Sequence, residues 1–339
     1  MSQAVDVSFD FSCAKTVEAK GFIFVGGLFL SSRQVAWRGG FSIQEKVLEK
    51  LDYVIRLANK EKLIPFFLGN IFARAHETDD ELKILLMRKL REIWTPAWCS
   101  VGKNDKSEAT LCDKDSLTLL AESGVLSVAI QDGGAIIAEN QGFRLGVGVT
   151  NYGSAIPTSV QTHNGPAGEA VNGVVWVCHR PLSDGAPNYI PGVNLVLDAE
   201  NVYETPPLGK RDAASEKETR WMSIGAITRI REDMAKVKPC VWLLTREGFS
   251  RHGVPHEEIA SPDDNMELMG TIIQRGGERN SFVSGIRAIR TSTTRANEKD
   301  YALKLVINNI NEENEEEKQK LIRVAKKLYD KALLKAKSK

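Results

Sequence analysis

The chain has little cysteine, and what it has is unpaired by spacing. Five cysteines fall among 339 residues, at Cys13, Cys99, Cys112, Cys178 and Cys240, and none forms a Cys-x-x-Cys pair. An odd, scattered set argues against a disulfide framework and a structural zinc site, and fits a reducing cytosol. No apolar run reaches the length that crosses a bilayer. Residues 1–20 lack a basic leader and mix Asp6, Asp10 and Glu18 with apolar positions, so no secretion signal is expected there. An excess of either charge is also missing. Lys and Arg number 45 against 44 Asp and Glu, a net +1, so no global field draws the chain to nucleic acid or membrane. A local basic patch stays open, and there is no internal repeat.

What is present suits an ordinary globular protein, with 42% hydrophobic and 26% charged residues. A chain of this length can bury one large core or two. Residues 1–20 read as an N-terminal extension, with one strand around Val5 to Phe11. Phe22-Ile23-Phe24-Val25 is a continuous apolar run ending in glycine, the pattern of a strand buried on both faces. Ser42 and Glu45 form a capping-box pattern ahead of a helical stripe from Val47 to Ala58. Ile64 to Leu68 is the next strand. Thr78 and Glu81 form a second capping box before Leu82, Leu86, Leu90 and Ile93. Trp98 to Val101 is the third strand. Strand, helix, strand, helix, strand predicts parallel pairing with functional loops at the strand carboxyl ends.

Shorter elements follow: a brief helix from Leu117, then strands over 125–128, 135–138, 143–150, 174–177, 193–197 and 241–244. Residues 152–173 read as a long loop, 210–220 as a charged exposed loop, His252 to Asp264 as loop, and 266–289 as mixed and arginine-punctuated. Asp300 to Lys337 reads as two helices. The second is acidic at its start and basic at its end, which complements the helix dipole.

Val101-Gly102-Lys103-Asn104-Asp105 resembles the Gly-Asn-His-Asp signature of the calcineurin-like metallophosphoesterases, with other residues in its middle. Four more signatures resemble that family in order along the chain. Phe24 to Ser32 has Gly27 and Phe29 where the family has Asp and His. Phe67 to Phe72 has Asn70 where it has a bridging Asp. Val177-Cys178-His179 keeps its His. Leu195 to Pro207 has Ala199-Glu200-Asn201-Val202 where the family has Gly-His-x-His. Met222 to Arg229, with Gly225, Thr228 and Arg229, resembles the closing segment of the phage and bacterial recombination-nuclease branch, among the double-strand-break repair exonucleases.

The resemblance covers roughly residues 21–250. It implies an α/β fold of four layers, two mixed β-sheets flanked by helices, with a helical appendage within 251–339. It also implies chemistry that needs two divalent cations about 3.5–4 Å apart. The altered positions do not supply it. Gly27 and Phe29 offer no ligand atom, Asn70 only a neutral carbonyl, and Val202 nothing. Lys103 would place an ammonium beside the cations, repelling a dication by roughly 8 kcal/mol at ~4 Å and an effective dielectric of 20. Asn104 replaces a His, and Glu200 stands among the lost ligands. Asp105, by resemblance, shapes its loop.

The expectation is therefore an inactive relative with no catalytic residues, no metal and no cofactor. It would serve as a protein-binding scaffold in a macromolecular assembly, in the cytoplasm, or the host's cytoplasm if phage-encoded. Inactive relatives play such parts in replicative polymerase B subunits and in the retromer coat. Contact residues would come from Arg33, Trp37 and Arg38 in the loop after the first strand, or from Leu321, Leu328 and Tyr329 on the last helix. Two alternatives stay open. One is a divergent metal-dependent nuclease or phosphodiesterase with ligands rebuilt from His163, His179 and Glu200; the other is a metal-free nucleic-acid binder, with Arg275, Arg279, Arg287, Arg290 and Arg295 along a phosphate backbone. The bland readings are a structural His179, a solvated arginine face, and an exposed Lys103 rather than one paired with Asp105 and Glu200.

Overall fold

A computed structural model describes residues 7–32, 43–164, 169–180, 188–211, 217–230, 232–234 and 236–256. The chain divides into two units, Met1–Ile259 and Ala260–Lys339, and the described residues all belong to the first. Arg33, Trp37, Arg38, Leu321, Leu328, Tyr329, the helical appendage and the late arginines lie outside them.

In chain order the elements are β1 (Ser8–Phe9), β2 (Lys15–Glu18), β3 (Gly21–Val25), α1 (Ile43–Glu61), β4 (Leu63–Phe67), α2 (Asp80–Leu90), β5 (Ala97–Cys99), α3 (Ser116–Glu122) and β6 (Leu126–Val128). Then come β7 (Gly133–Asn140), β8 (Phe143–Thr150), β9 (Ser159–Val160), β10 (His163–Asn164), β11 (Glu169–Ala170), β12 (Gly173–Cys178) and β13 (Leu195–Asp198). The last four are β14 (Leu208–Arg211), β15 (Glu218–Met222), β16 (Cys240–Thr245) and β17 (Gly248–Gly253).

Two mixed sheets result. One has six strands in the order β17-β16-β3-β4-β5-β6, the other seven in the order β14-β15-β13-β12-β8-β7-β2. In the first, β3 to β6 run parallel as the strand–helix alternation predicts, and β16 closes antiparallel on β3. The apolar runs are explained by burial on both faces. Phe22 and Phe24 of β3 enter the core between the sheets with Ile64, Phe66, Val147, Val175 and Leu197, while Ile23 and Val25 pack under the helices. Leu82, Leu86 and Leu90 of α2 and Leu117 and Leu120 of α3 complete that outer core. The α2 cap is Asp79 rather than the expected Thr78. Its carboxylate accepts the Leu82 N–H at 3.0 Å, and an anion suits a helix start better than a hydroxyl.

The outer face of the seven-stranded sheet has a different cover. Phe11, Val160, Val171 and Ile190 pack there on Trp176, Val196 and Trp221, all from strands and loops. Residues 1–20 supply β1, which pairs with β9, and β2, which pairs with β7. The charged stretch 210–220 is not all loop: β14 and β15 form an antiparallel pair. Its alternation is real but masked by charge. Thr219 and Trp221 are buried, and Arg220 between them is exposed. His252 lies in β17 opposite Val241 rather than in a loop.

Trp176 is fully buried and lies beside Gly148 of β8 in register. A Cβ at Gly148 would stand 2.1 Å from its ring, whose indole N–H is held at 2.8 Å by Thr150 Oγ1 and whose face stacks on Phe9. Gly148→Ala is therefore expected to destabilise the fold by about 1–3 kcal/mol, read as a lower urea midpoint.

Candidate functional site

The carboxyl ends of β3, β4, β5, β12 and β13 meet, and every segment of the family resemblance comes to this one place. The contacts run round it. Phe29 N–H donates to the Asn70 carbonyl at 2.9 Å, and Leu30 N–H to that of Ile71 at 2.9 Å. Asn70 Oδ1 accepts from Asn104 N–H at 3.0 Å. A Cβ on Gly69 would lie 2.7 Å from the His179 ring, and Gly69 has φ +67°, a conformation open to glycine. His179 meets Glu200, and Ala226 N–H donates to the Val202 carbonyl at 2.9 Å.

Asp105 is the buried anchor of this end. Its carboxylate accepts the N–H groups of Asn70 at 2.6 Å, Ile71 at 2.9 Å and Gly102 at 2.8 Å. Burial pushes its pKa up, against the Gly102 and Asn70 N–H groups, His179 and the Ile71 N–H; burial prevails. Phe29 and Asn70 carry left-handed backbone, φ +46° and +52°, which only firm surroundings keep in place.

His179 is buried and ties the sheets together. One ring nitrogen, Nε2, lies 2.9 Å from Ser100 Oγ at the end of β5, and the other, Nδ1, lies 3.0 Å from Glu200 Oε1 after β13. A carboxylate only accepts, so the Nδ1 hydrogen faces Glu200, and in the neutral ring Nε2 accepts the Ser100 hydroxyl. Asp198 aims Glu200 by accepting its N–H at 2.9 Å.

The other altered positions are apolar or turned away. Phe29 and Val202, on segments far apart in sequence, pack in one cluster with Ala226 and Met234. The Phe29 ring fills the space beside Gly27: a Cβ there would be 2.5 Å from it. Lys103 is exposed, with Nζ 6.0 Å from the centre of the Tyr152 ring. No ion pair joins it to Asp105 or Glu200, whose carboxylates are held by backbone N–H groups and by His179; of the two readings weighed for Lys103, the exposed one is what the structure has. His163 is exposed on β10. Among the described residues no three His, Cys, Asp or Glu side chains come together as a metal would need.

A resident two-metal centre therefore does not fit these residues. Both His179 nitrogens are engaged, the Asn70 side-chain oxygen is engaged, and Phe29 and Val202, which the resemblance sets at ligand positions, lie in an apolar cluster. Three residues carry the site without a motif to announce them: Ser100, Asp198 and Asn151. Asn151 accepts the Val101 N–H at 2.8 Å and donates to the Ala129 and Ile130 carbonyls. The one signal they share is a polar residue at, or just past, a strand's carboxyl end.

No family model matches the chain, and no curated protein matches it. Among solved structures, a 5'-nucleotidase precursor from Thermus thermophilus is similar at a TM-score of 0.41 and 11% identity, over 75% of this chain. The match spans 58% of that protein's length, less than two thirds. At that distance the nucleotidase lends this chain neither a substrate nor a mechanism. No described helix is long and apolar enough to cross a membrane.

Asp105→Asn swaps an acceptor for a donor against buried N–H groups. The expected cost is about 1–3 kcal/mol, measured by chemical denaturation, the cost of one buried N–H left unpaired.

Proposed function

We propose that this chain is a metallophosphoesterase-like protein that has given up its metal centre and works by binding a macromolecular partner. The observation that carries the reading is that Phe29 and Val202 belong to one apolar cluster, with Ala226 and Met234. By the sequence resemblance both stand where the family has imidazole ligands. They come to one cluster at the same end of the sheets, and what they bring to it is hydrocarbon. The engaged nitrogens of His179 support the same view. Apolar packing here leaves the backbone of a catalytic cleft without its chemistry. The partner would be met by the loop carrying Arg33, Trp37 and Arg38 or by the final helix with Leu321, Leu328 and Tyr329. Removal of residues 297–339 would then abolish partner capture if the helix is the contact.

One observation favours a second reading, a divergent phosphodiesterase: His179 is retained and is oriented by a carboxylate, as a catalytic imidazole would be. The same experiment separates the two. A resident dication at about 100 times its dissociation constant would stabilise the fold by about 2.7 kcal/mol. We expect Mn²⁺ to leave the thermal midpoint unchanged and labelled DNA and RNA uncut. Mn²⁺-dependent turnover that His179→Ala abolishes would carry the enzyme reading instead.

A further inference from the structure

The outer face of the six-stranded sheet is covered by helices, and two of them carry apolar side chains outward. α2 connects β4 to β5 and α3 connects β5 to β6, and parallel neighbours joined in this way take their helices on one face. The starts of the two helices touch. The Glu77 N–H, just before α2, donates to Ser116 Oγ at the head of α3 at 2.8 Å, and the Ser116 N–H donates to the Ala75 carbonyl at 2.7 Å. Each helix turns leucines inward, Leu82, Leu86 and Leu90 from α2 and Leu117 and Leu120 from α3. Ile84, Leu85 and Leu119 lie on the outward side and are 43%, 38% and 43% exposed. Three of the five large exposed hydrophobic residues among those described therefore stand on two adjacent helices. None of the three belongs to the site above, and this face does not depend on the proposed function.

Charge says what would cover them. By helical spacing Glu81, Ile84, Leu85 and Arg88 form one stripe opposite Leu82, Leu86 and Leu90, and all four are exposed. Glu81 and Arg88 form no ion pair among the described residues, whereas Asp80 is paired with Lys83 at 2.7 Å. The stripe is its own complement. Turned about a two-fold axis between Ile84 and Leu85, a second α2 runs antiparallel to the first. Glu81 then opposes Arg88 of the partner subunit, Ile84 opposes Leu85 of the partner subunit, and each contact occurs twice, as an isologous interface requires. A parallel pair would set glutamate against glutamate and arginine against arginine. Like charges so opposed are costly, and the antiparallel copy is selected.

We propose that the outer face of α2, joined by Leu119 of α3, is an interface between two copies of this chain, packed antiparallel about a two-fold axis. The eleven residues of α2 span about 16 Å, and with Leu119 they offer less than the roughly 800 Å² per partner of a standard interface. The dimer is therefore weak, and its population rises with concentration.

Sedimentation equilibrium of the full chain, run from micromolar to near-millimolar concentration, should show a monomer–dimer equilibrium. Glu81→Arg and Arg88→Glu each place like charges opposite one another twice. Each should weaken self-association at least tenfold and leave the urea midpoint unchanged, because both positions are exposed. Mixed in equal amounts, the two variants should associate as tightly as the unaltered chain, since every opposed pair is again of opposite sign. A variant that had merely misfolded would not regain association in this way. Ile84→Gln removes the apolar centre and should weaken the dimer at least threefold. A chain that stays monomeric throughout overturns the proposal and leaves the face to another occupant. A dimer that neither charge reversal weakens forms elsewhere and overturns it too, as does a mixture no tighter than its components.

Discussion

One buried carboxylate organises the end of the molecule where the strands converge. Asp105 takes three main-chain N–H groups from two different loops. By orienting Asn70 and Ile71 it places their carbonyls for Phe29 and Leu30, so the loop after β3 depends on it at second hand. Three strand ends are thereby set by a side chain that touches only two of the loops. A buried carboxylate is costly unless its lone pairs are occupied, and here the backbone occupies them. The left-handed conformations of Phe29 and Asn70 persist within that network.

His179 does for the two sheets what Asp105 does for the loops. Ser100 belongs to the six-stranded sheet's side of the interface, and His179 and Glu200 to the seven-stranded sheet's side. Hydrogen bonds through one imidazole therefore cross between the layers, as those of Asn151 do at the neighbouring strand ends. The apolar cluster around Phe29, Val202 and Ala226 lies at the same end. Polar relay and apolar cluster together make this end of the molecule ordinary core and network, and donor chemistry, rather than shape, weighs against a two-metal centre.

The strand order was legible because buried parallel strands are hydrophobic on both faces, and β3, β4 and β12 have that character in full. The β14–β15 pair was hidden because its inter-sheet face carries Glu218 and Arg220 at the edge of a cavity, where charge is tolerated and the apolar pattern lapses. Lys103 misled for a related reason. Its place in the motif pointed inward, but the turn at Lys103–Asp105 turns Asp105 in and leaves Lys103 out, and neighbours in a tight turn cannot share a direction.

By itself the sequence determined the alternation of strand and helix, the glycines at strand ends, and the chemical poverty of positions 27, 29 and 202, because each is a property of a residue or of its near neighbours. Tertiary structure decided what those residues meet. Ser100 is 79 positions from His179, and Glu200 is 21 from it. Phe29 and Val202 come into one cluster through the packing of two sheets. Such pairings depend on how layers stack, and a local pattern along the chain carries no record of the distance between layers.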